Sequence, residues 1–237
     1  MTAGPGRGSH SLNYETETVG GTCVSASAAE FSAKGTRLNR RGLETRRHIL
    51  ACAVRLLAEG GDHPVTSGDI ARDAGVTWGT IQHQFGDLDG LWAAVTDHCC
   101  RWLQELNVRP MDGDLPDRVS EVIDAIWAVG DSPEGRAIWR LRAALPIGHD
   151  SFGASYPLTL QRFLAFEVAW NQICDRLIGE AAMRGISDDQ RRRLRAFLPG
   201  AVHGVHALSL LTPVADPALA RQGLIDAVVA YLAADGT

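Results

Sequence analysis

The stretch GVTWGTIQHQF, residues 75–85, contains the side chains whose types and spacing best suit a chemical role. A large aromatic ring is supplied by Trp78, and the hydrogen-bonding groups belong to Thr77, Thr80, Gln82, His83 and Gln84. The stretch holds no pair of carboxylates for acid–base catalysis and no metal-ligand spacing. Glutamine can hydrogen-bond to a base edge in the major groove, and threonine and histidine can reach phosphate. These residue types favour a contact with DNA, although a surface helix in an ordinary bundle is the alternative.

The neighbouring residues predict that this stretch is the second helix of a helix-turn-helix. Thr66 or Ser67 can cap a short first helix that has one apolar face. Gly75 suits the sharp turn because a positive φ costs glycine little. The second helix is predicted to begin at Thr77 and to keep two apolar side chains, four residues apart, on its inner face.

Apolar periodicity predicts helices along the rest of the chain, with no strand signal and no internal repeat. The predicted helices include 43–59, 89–106, 188–211 and 217–234, and the loops include 109–116 and 146–157. Pro199 is expected to kink the penultimate helix. The expected fold is all-α. Its predicted parts are a disordered N-terminal arm over 1–38, a helix-turn-helix DNA-binding domain over 39–88 and a larger helical domain over 89–237.

Charge is distributed unevenly along the chain. The 237 residues carry a net charge of −5, but residues 1–47 hold seven Lys and Arg against four Glu and are net +3, so the remainder carries −8. A basic segment on an acidic body often marks a polyanionic partner, and a solvated tail is the alternative. Arg46 and Arg47 end this basic segment.

Composition narrows the class of protein. The hydrophobic share of 45% and the charged share of 22% are ordinary globular values. No apolar run is long enough to cross a bilayer, and the polar, glycine-rich N-terminus does not resemble a signal peptide. Five cysteines without paired spacing argue against a disulfide framework and favour a reducing, cytoplasmic location. No cofactor and no metal are expected.

Residues 65–95, VTSGDIARDAGVTWGTIQHQFGDLDGLWAAV, resemble the DNA-binding domain of the TetR family of bacterial transcription regulators. The shared residues are Thr66, Ile70, Ala71, Ala74, Gly75, Val76, Gly79, Thr80, His83, Phe85 and Leu91. The resemblance implies phosphate contacts from Thr66 and Ser67. It also implies a DNA-facing set consisting of Thr77, Trp78, Gly79, Thr80, Gln82 and His83.

The sequence departs from the family's pattern at two positions. Gln82 replaces a Tyr, and Leu88 replaces a Lys, and both of the usual residues commonly contact the DNA backbone. Their loss should weaken the affinity for DNA and its salt dependence. Arg46, Arg47 and the upstream arm are hypothesised to compensate.

The central helices carry an unusual number of aromatic side chains. With His203 on the penultimate helix, the predicted ligand-binding set is Trp127, Trp139, Phe163, Phe166, Trp170 and His203. Core packing explains most of them, while the resemblance implies an effector pocket between helices. The expected effector is small and largely apolar, and an acidic group on it could pair with Arg136, Arg140 or Arg142.

The predicted function is that of a homodimeric, ligand-responsive regulator, expected to be a repressor, that binds a palindromic operator. The last two helices of each chain would form a four-helix bundle between subunits, which would place the recognition helices about 34–36 Å apart. An effector would release DNA by stabilising the DNA-incompetent state. The alternatives are a constitutive or redox-sensing regulator using Cys99 and Cys100, and a metalloenzyme using His203 and His206, which lack an evident third ligand.

Overall fold

The computed structural model of the chain describes residues 31–61, 63–107, 113–179, 183–211 and 216–234. These residues form ten helices and no β-strand beyond an isolated bridge between Phe31 and Arg37. The helices are α1 Arg40–Glu59, α2 Ser67–Asp73, α3 Trp78–Phe85, α4 Leu88–Glu105, α5 Leu115–Asp131, α6 Pro133–Ala144, α7 His149–Ser155, α8 Pro157–Leu177, α9 Asp188–Leu211 and α10 Pro217–Ala234. The predicted all-α fold is confirmed.

Capping side chains set several helix ends. α1 begins at Arg40, three residues before its predicted start, because Oδ1 of Asn39 accepts a 2.9 Å hydrogen bond from the backbone N–H of Gly42. α9 and α10 have their predicted bounds, and the carboxylate of Asp216 caps α10. Pro199 lies inside α9.

The loop predicted over 146–157 is wrong, because it contains the seven-residue helix α7. Phe152 of α7 is almost fully buried, and its ring packs edge-on against Phe163 of α8 with the centroids 5.9 Å apart. One buried aromatic in a segment rich in polar residues and glycine gives no apolar periodicity. Tertiary packing therefore stabilises this short helix more than its own sequence does.

Two hydrophobic cores share α4 and α8. The first packs α1, α2 and α3 against α6, α7 and the N-terminal parts of α4 and α8. The second packs α5, α9 and α10 against the C-terminal parts of α4 and α8. Because α6 supplies Ala137, Ile138 and Leu141 to the first core, that core extends past residue 88, where the predicted DNA-binding domain ends.

Two arginines of α6 hold the C-terminal end of α1. Nη1 of Arg140 donates to the carbonyl oxygens of Leu57 and Ala58, at 3.3 and 3.1 Å. Nε of Arg136 also donates to the Ala58 carbonyl, at 3.3 Å. The last carbonyls of a helix have no partner inside the helix, so these bonds tie α1 to the larger helical body.

A second tie joins α4 to α8. The carboxylate of Asp89 accepts hydrogen bonds of 2.9 Å from the backbone N–H groups of both Leu158 and Thr159, and one of 2.7 Å from the Thr159 hydroxyl. The residue before α8 provides no side-chain cap. Asp89 therefore caps α8 from another helix, directly beside the helix-turn-helix.

Residues 31–38 form an ordered turn, named here the capping turn, so the prediction of disorder over 1–38 is wrong for these eight residues. Residues 1–30 lie outside the described residues. The N–H of Ser32 donates to the Thr36 carbonyl and the N–H of Gly35 to the Ser32 carbonyl, both at 2.9 Å, and Oγ of Ser32 accepts from the Thr36 N–H. The N–H of Ala33 donates to the carbonyl of His83 in α3. These hydrogen bonds order the segment, and hydrophobic patterning does not detect them.

Candidate DNA-binding surface

α2 and α3 form the predicted helix-turn-helix. Thr66 caps α2 in a reciprocal arrangement with Asp69: the threonine hydroxyl accepts from the Asp69 N–H at 3.2 Å, and the Thr66 N–H donates to the Asp69 carboxylate at 3.0 Å. Hydrogen bonds from Thr66 lower the pKa of Asp69. Gly75, with φ +62°, makes the turn, where an L side chain would be strained.

Thr77 is the N-cap of α3 rather than its first helical residue. Its hydroxyl oxygen accepts from the Thr80 N–H at 3.2 Å, and the two hydroxyl oxygens lie 3.1 Å apart. Thr77 is exposed and Thr80 is half-buried. Ile81 and Phe85 are buried as predicted, so they anchor α3 to its own domain.

The outer side of α3 carries several of the residues that the sequence assigns to DNA. Gln82 and His83 are exposed, and neither side chain hydrogen-bonds to another residue in the described part of the chain. Gly79 is exposed and adds no side chain. Trp78 is half-buried and packs against the first core, so its ring lies partly in the domain and partly on the surface.

Gln84 points inward, although the sequence groups it with the outward hydrogen-bonding residues. Only 4% of it is exposed, and its Nε2 donates to the carbonyl of Gly42 in α1 at 3.2 Å. Helical periodicity explains this orientation, because position 84 lies on the same side of the helix as Ile81 and Phe85. Gln84 therefore joins α3 to α1.

Arg46 takes a structural position where a DNA contact was predicted. Its guanidinium donates to the Gln84 carbonyl and lies 4.2 Å from the centroid of the Phe85 ring. Burial, and then the positive charge of Arg101, lower the pKa of Arg46. We therefore leave Arg46 out of the proposed DNA-binding set, while the neighbouring Arg47 is exposed.

The C-terminal end of α3 is closed by three donors. The donor and acceptor pairs are the N–H of Gly86 with the Gln82 carbonyl at 2.8 Å, the N–H of Ala33 with the His83 carbonyl at 3.3 Å, and Arg46 with the Gln84 carbonyl. Sequence reasoning missed the role of Ala33, since no residue-type signal marks a backbone donor. The fit is close: Gly86 has φ +90°, and a Cβ on it would lie 3.3 Å from the Cβ of Ala33.

The six residues predicted to bind a ligand lie in different surroundings in the structure. Trp139 stacks on His203 with centroids 5.8 Å apart, and Trp170 meets the same ring edge-on at 5.6 Å. Trp127 packs against His206, while Phe163 and Phe166 belong to the hydrophobic cores. The cavity bordered by Trp139 and His203 measures about 20 Å³, enough for a water molecule but not for an organic ligand.

A larger cleft, named here the junction cleft, lies where the helix-turn-helix meets the larger helical body. It measures about 620 Å³, within the range of about 300–1,000 Å³ that is typical of ligand sites. Its lining comes from the α1–α2 connection, α4, α6 and Tyr156. The apolar lining includes Leu57, Trp92 and Leu145, and the guanidinium of Arg140 is the charged group on the α6 side.

Cysteine chemistry differs from expectation at one position. Cys100 is disulfide-bonded, whereas Cys52, Cys99 and Cys174 are free and buried. Burial raises the pKa of the Cys99 thiol to about 12, so it has little thiolate at neutral pH.

The described residues contain no group of three or more His, Cys, Asp or Glu placed to hold a metal ion. Within the same residues, no helix has the length and apolarity needed to cross a membrane.

An anchored helix-turn-helix with a polar outer side, carried on a larger helical body, is the arrangement found in DNA-binding regulators. The family model described as bacterial regulatory proteins of the tetR family matches residues 49–95, from α1 into α4. Over this segment the chain is similar to the tetR family, so the resemblance seen in the sequence is confirmed. The members of that family are DNA-binding transcription regulators rather than enzymes. No curated protein sequence matches the chain.

Two solved structures of NalD from Pseudomonas aeruginosa are similar to the chain over most of its length. The native NalD structure is 21% identical with a TM-score of 0.52, covering 80% of this chain and 96% of NalD. The other NalD structure is 20% identical with a TM-score of 0.53, covering 81% and 96%. NalD is the secondary repressor of the MexAB-OprM multidrug efflux pump. The similarity shows a common fold that includes the helices beyond residue 95.

Proposed function

We propose that the chain is a dimeric transcription repressor whose α3 reads base edges in the major groove of a palindromic operator. The observation that carries this proposal is the contrast between the two sides of α3. Ile81, Gln84 and Phe85 are buried and fix the helix, while the exposed side chains of Gln82 and His83 make no hydrogen bond to other described residues. A rigidly held surface helix with unengaged polar groups suits insertion into a groove.

The backbone contacts are proposed to come from Arg47 and Ser67. Arg47 is exposed on α1, and Ser67 is the first residue of α2. Thr66 has a different role, because its hydroxyl donates to the Asp69 carboxylate at 2.6 Å and accepts from the Asp69 N–H. We assign Thr66 to holding α2 in place.

Selection of bound duplexes from a random pool tests this proposal. A dimer with two recognition helices should enrich an inverted repeat with half-sites about one helical turn apart. Absence of enrichment over non-specific binding would overturn the proposed function. Enrichment of a single half-site would overturn the proposal that the protein binds DNA as a dimer.

The proposed dimer interface is formed by α9 and α10. Each helix presents one exposed stripe of apolar and small residues: Phe197, Gly200, Gly204 and Leu208 on α9, and Leu219, Gly223, Ala227 and Ala230 on α10. Leu219 is 72% exposed and Leu208 is 56% exposed. Exposed apolar stripes of this kind often mark an interface, and the glycines allow close approach of a second helix pair. Family members typically dimerise.

We propose that the effector binds in the junction cleft rather than among the predicted aromatic residues. The cavity beside Trp139 holds about 20 Å³, whereas the cleft holds about 620 Å³. Within the described residues, the hydrogen bonds of Arg140 go to the carbonyls of Leu57 and Ala58, and no carboxylate pairs with it. The site therefore suits a molecule with an apolar body and one anionic group.

Binding of such an acid would disturb the DNA-binding half. A carboxylate on Arg140 would compete with the two carbonyls at the end of α1, and a ligand body in the cleft would separate α6 from the α1–α2 connection. An effector that binds this separated state better shifts the population away from DNA binding.

A panel of apolar carboxylic acids, each with its matching uncharged amide, tests the effector site. Acids should raise the thermal stability and weaken binding to the selected duplex, and the amides should do so less. Ala144→Phe places a ring in the cleft from α6 and should abolish the response to the acids. Ala128→Phe, at an exposed position of α5, should keep the response. A response that Ala144→Phe leaves unchanged would place the effector elsewhere.

The disulfide at Cys100 favours a second candidate, a redox-responsive regulator. In that case reduction with dithiothreitol should change the affinity for the selected duplex in the absence of any effector. Equal affinities of the oxidised and reduced protein would exclude it.

A further inference from the structure

We propose that the capping turn, residues 31–38, is a second DNA-contacting element that also fixes the C-terminal end of α3. The proposal rests on the DNA-binding function proposed above and adds a part of the chain outside the segment that the family model matches. It begins from the hydrogen bond between the N–H of Ala33 and the carbonyl of His83.

The capping turn completes the end of a short helix. α3 has eight residues, so its last carbonyls form a large share of its backbone groups. Two of their donors, the Ala33 N–H and the Arg46 guanidinium, lie outside α3 and Gly86. The orientation of the outward side chains at positions 82 and 83 therefore depends in part on Ala33, which lies upstream of α1, and in part on Arg46 within α1.

The local geometry of the turn makes it a rigid support. The Gly35 N–H donates to the Ser32 carbonyl, which places Ala33 and Lys34 at the two central positions of a β-turn. Neither central residue has a positive φ, so the turn is type I, and Gly35 follows with φ +73°. Ser32 is buried and closes the turn from both sides through its backbone and its hydroxyl.

The charge of this segment suits phosphate. Lys34 lies at the turn and Arg37 at its end, both exposed, and the sequence from 31 to 43 contains no Asp or Glu. The turn is joined to α3 at His83, a residue on the outward side of the recognition helix. A helix lying in the major groove therefore brings the cationic turn to the DNA backbone at its own C-terminal end.

One variant separates the structural role from the charge. Ala33→Pro removes the N–H donor but keeps the turn, because proline is favoured at the first central position of a type I turn. Ala33→Gly keeps the donor and is the matched control. Losing the hydrogen bond should speed amide exchange in the last turn of α3 on the order of fivefold relative to that control. Equal exchange in the two variants would overturn the capping role, and this measurement needs no DNA.

A second variant tests the DNA contact on a mixed-sequence duplex. Lys34→Gln should make the salt dependence of binding shallower by about 0.9 per subunit, the value of one phosphate contact. Arg184→Gln removes one exposed positive charge beyond the C-terminal end of α8, a helix about 30 Å long whose N-terminal end lies beside Asp89, and should leave the slope unchanged.

The outcomes distinguish the two proposals. Equal slopes for the two variants, with normal binding by the wild-type protein, would overturn the contact at Lys34 and leave the proposed function intact. Failure of the wild-type protein to bind any duplex would overturn the proposed function and the DNA contact together, whereas the exchange result would still decide the capping role.

Discussion

Arg46 and Arg47 are adjacent arginines on α1, and the structure predicts opposite consequences when each is replaced by methionine. Arg46 contacts the Gln84 carbonyl and the Phe85 ring, whereas Arg47 is exposed. Methionine keeps an unbranched apolar stem and removes the charge in both cases. Arg46→Met should therefore destabilise the fold, and Arg47→Met should weaken the contact with the DNA backbone.

The expected loss of unfolding free energy in Arg46→Met comes from two contacts of the Arg46 guanidinium. A hydrogen bond from a charged donor contributes about 1.5–3 kcal/mol, and a cation–π contact contributes about 0.5–1 kcal/mol at an exposed site. Because Arg46 is only half-buried, the lower part of the combined range applies, about 2–3 kcal/mol. For a chain of this length that loss lowers Tm by about 4–12 °C.

The assay combines unfolding and DNA binding. Urea unfolding and Tm should show the loss for Arg46→Met and no measurable change for Arg47→Met. On a mixed-sequence duplex, Arg47→Met should make the salt slope shallower by about 0.9 per subunit, while Arg46→Met should leave the slope unchanged. An unchanged Tm together with a shallower slope for Arg46→Met would refute the structural role of Arg46 and restore the original prediction from sequence.

Three further predictions concern the body of the protein. Leu208→Glu and Leu219→Glu should each convert the proposed dimer to monomers in sedimentation experiments, because they place a charge in the proposed interface. Ile147→Glu, on an 87% exposed side chain outside that interface, should not, and a dimer in all three variants would contradict the assignment. Asp89→Asn should lower the free energy of unfolding by about 1–3 kcal/mol, since the charged acceptor for the first N–H groups of α8 is lost, and an unchanged urea midpoint would contradict this cap. Burial raises the pKa of both Cys99 and Cys174 to about 12, so a maleimide should label neither at neutral pH until the protein unfolds; rapid labelling of the folded protein would show that these thiols are accessible.

Sequence patterns predicted the helices whose ends carry local signals. The bounds of α9 and α10 agree with prediction, and α10 starts with a capping Asp216 followed by Pro217. Gly75 has the positive φ expected of the turn. These features depend on residues within a few positions of one another, so the sequence alone identifies them.

The parts that sequence did not predict depend on contacts between distant residues. Arg46 belongs to a basic segment by sequence, and only the packing of α3 on α1 turns it towards Phe85, 39 positions away. Gln84 is polar but is buried because the carbonyl of Gly42 accepts its amide hydrogen. The capping turn has no apolar pattern, so its sequence predicts disorder. Hydrogen bonds of its backbone and of the Ser32 hydroxyl order it instead.

The most direct test of the central claim compares wild-type protein, Gln82→Ala and Gln172→Ala on the selected operator and on its single-base variants. Gln82 lies on the outer side of α3, and Gln172 is an exposed glutamine of α8 that serves as the control. If α3 reads bases, Gln82→Ala should lose about 1–3 kcal/mol of discrimination at one position, repeated symmetrically in the two half-sites, while Gln172→Ala retains the wild-type pattern. Unchanged discrimination at every position in Gln82→Ala would contradict the assignment of Gln82 as a base-reading residue on α3.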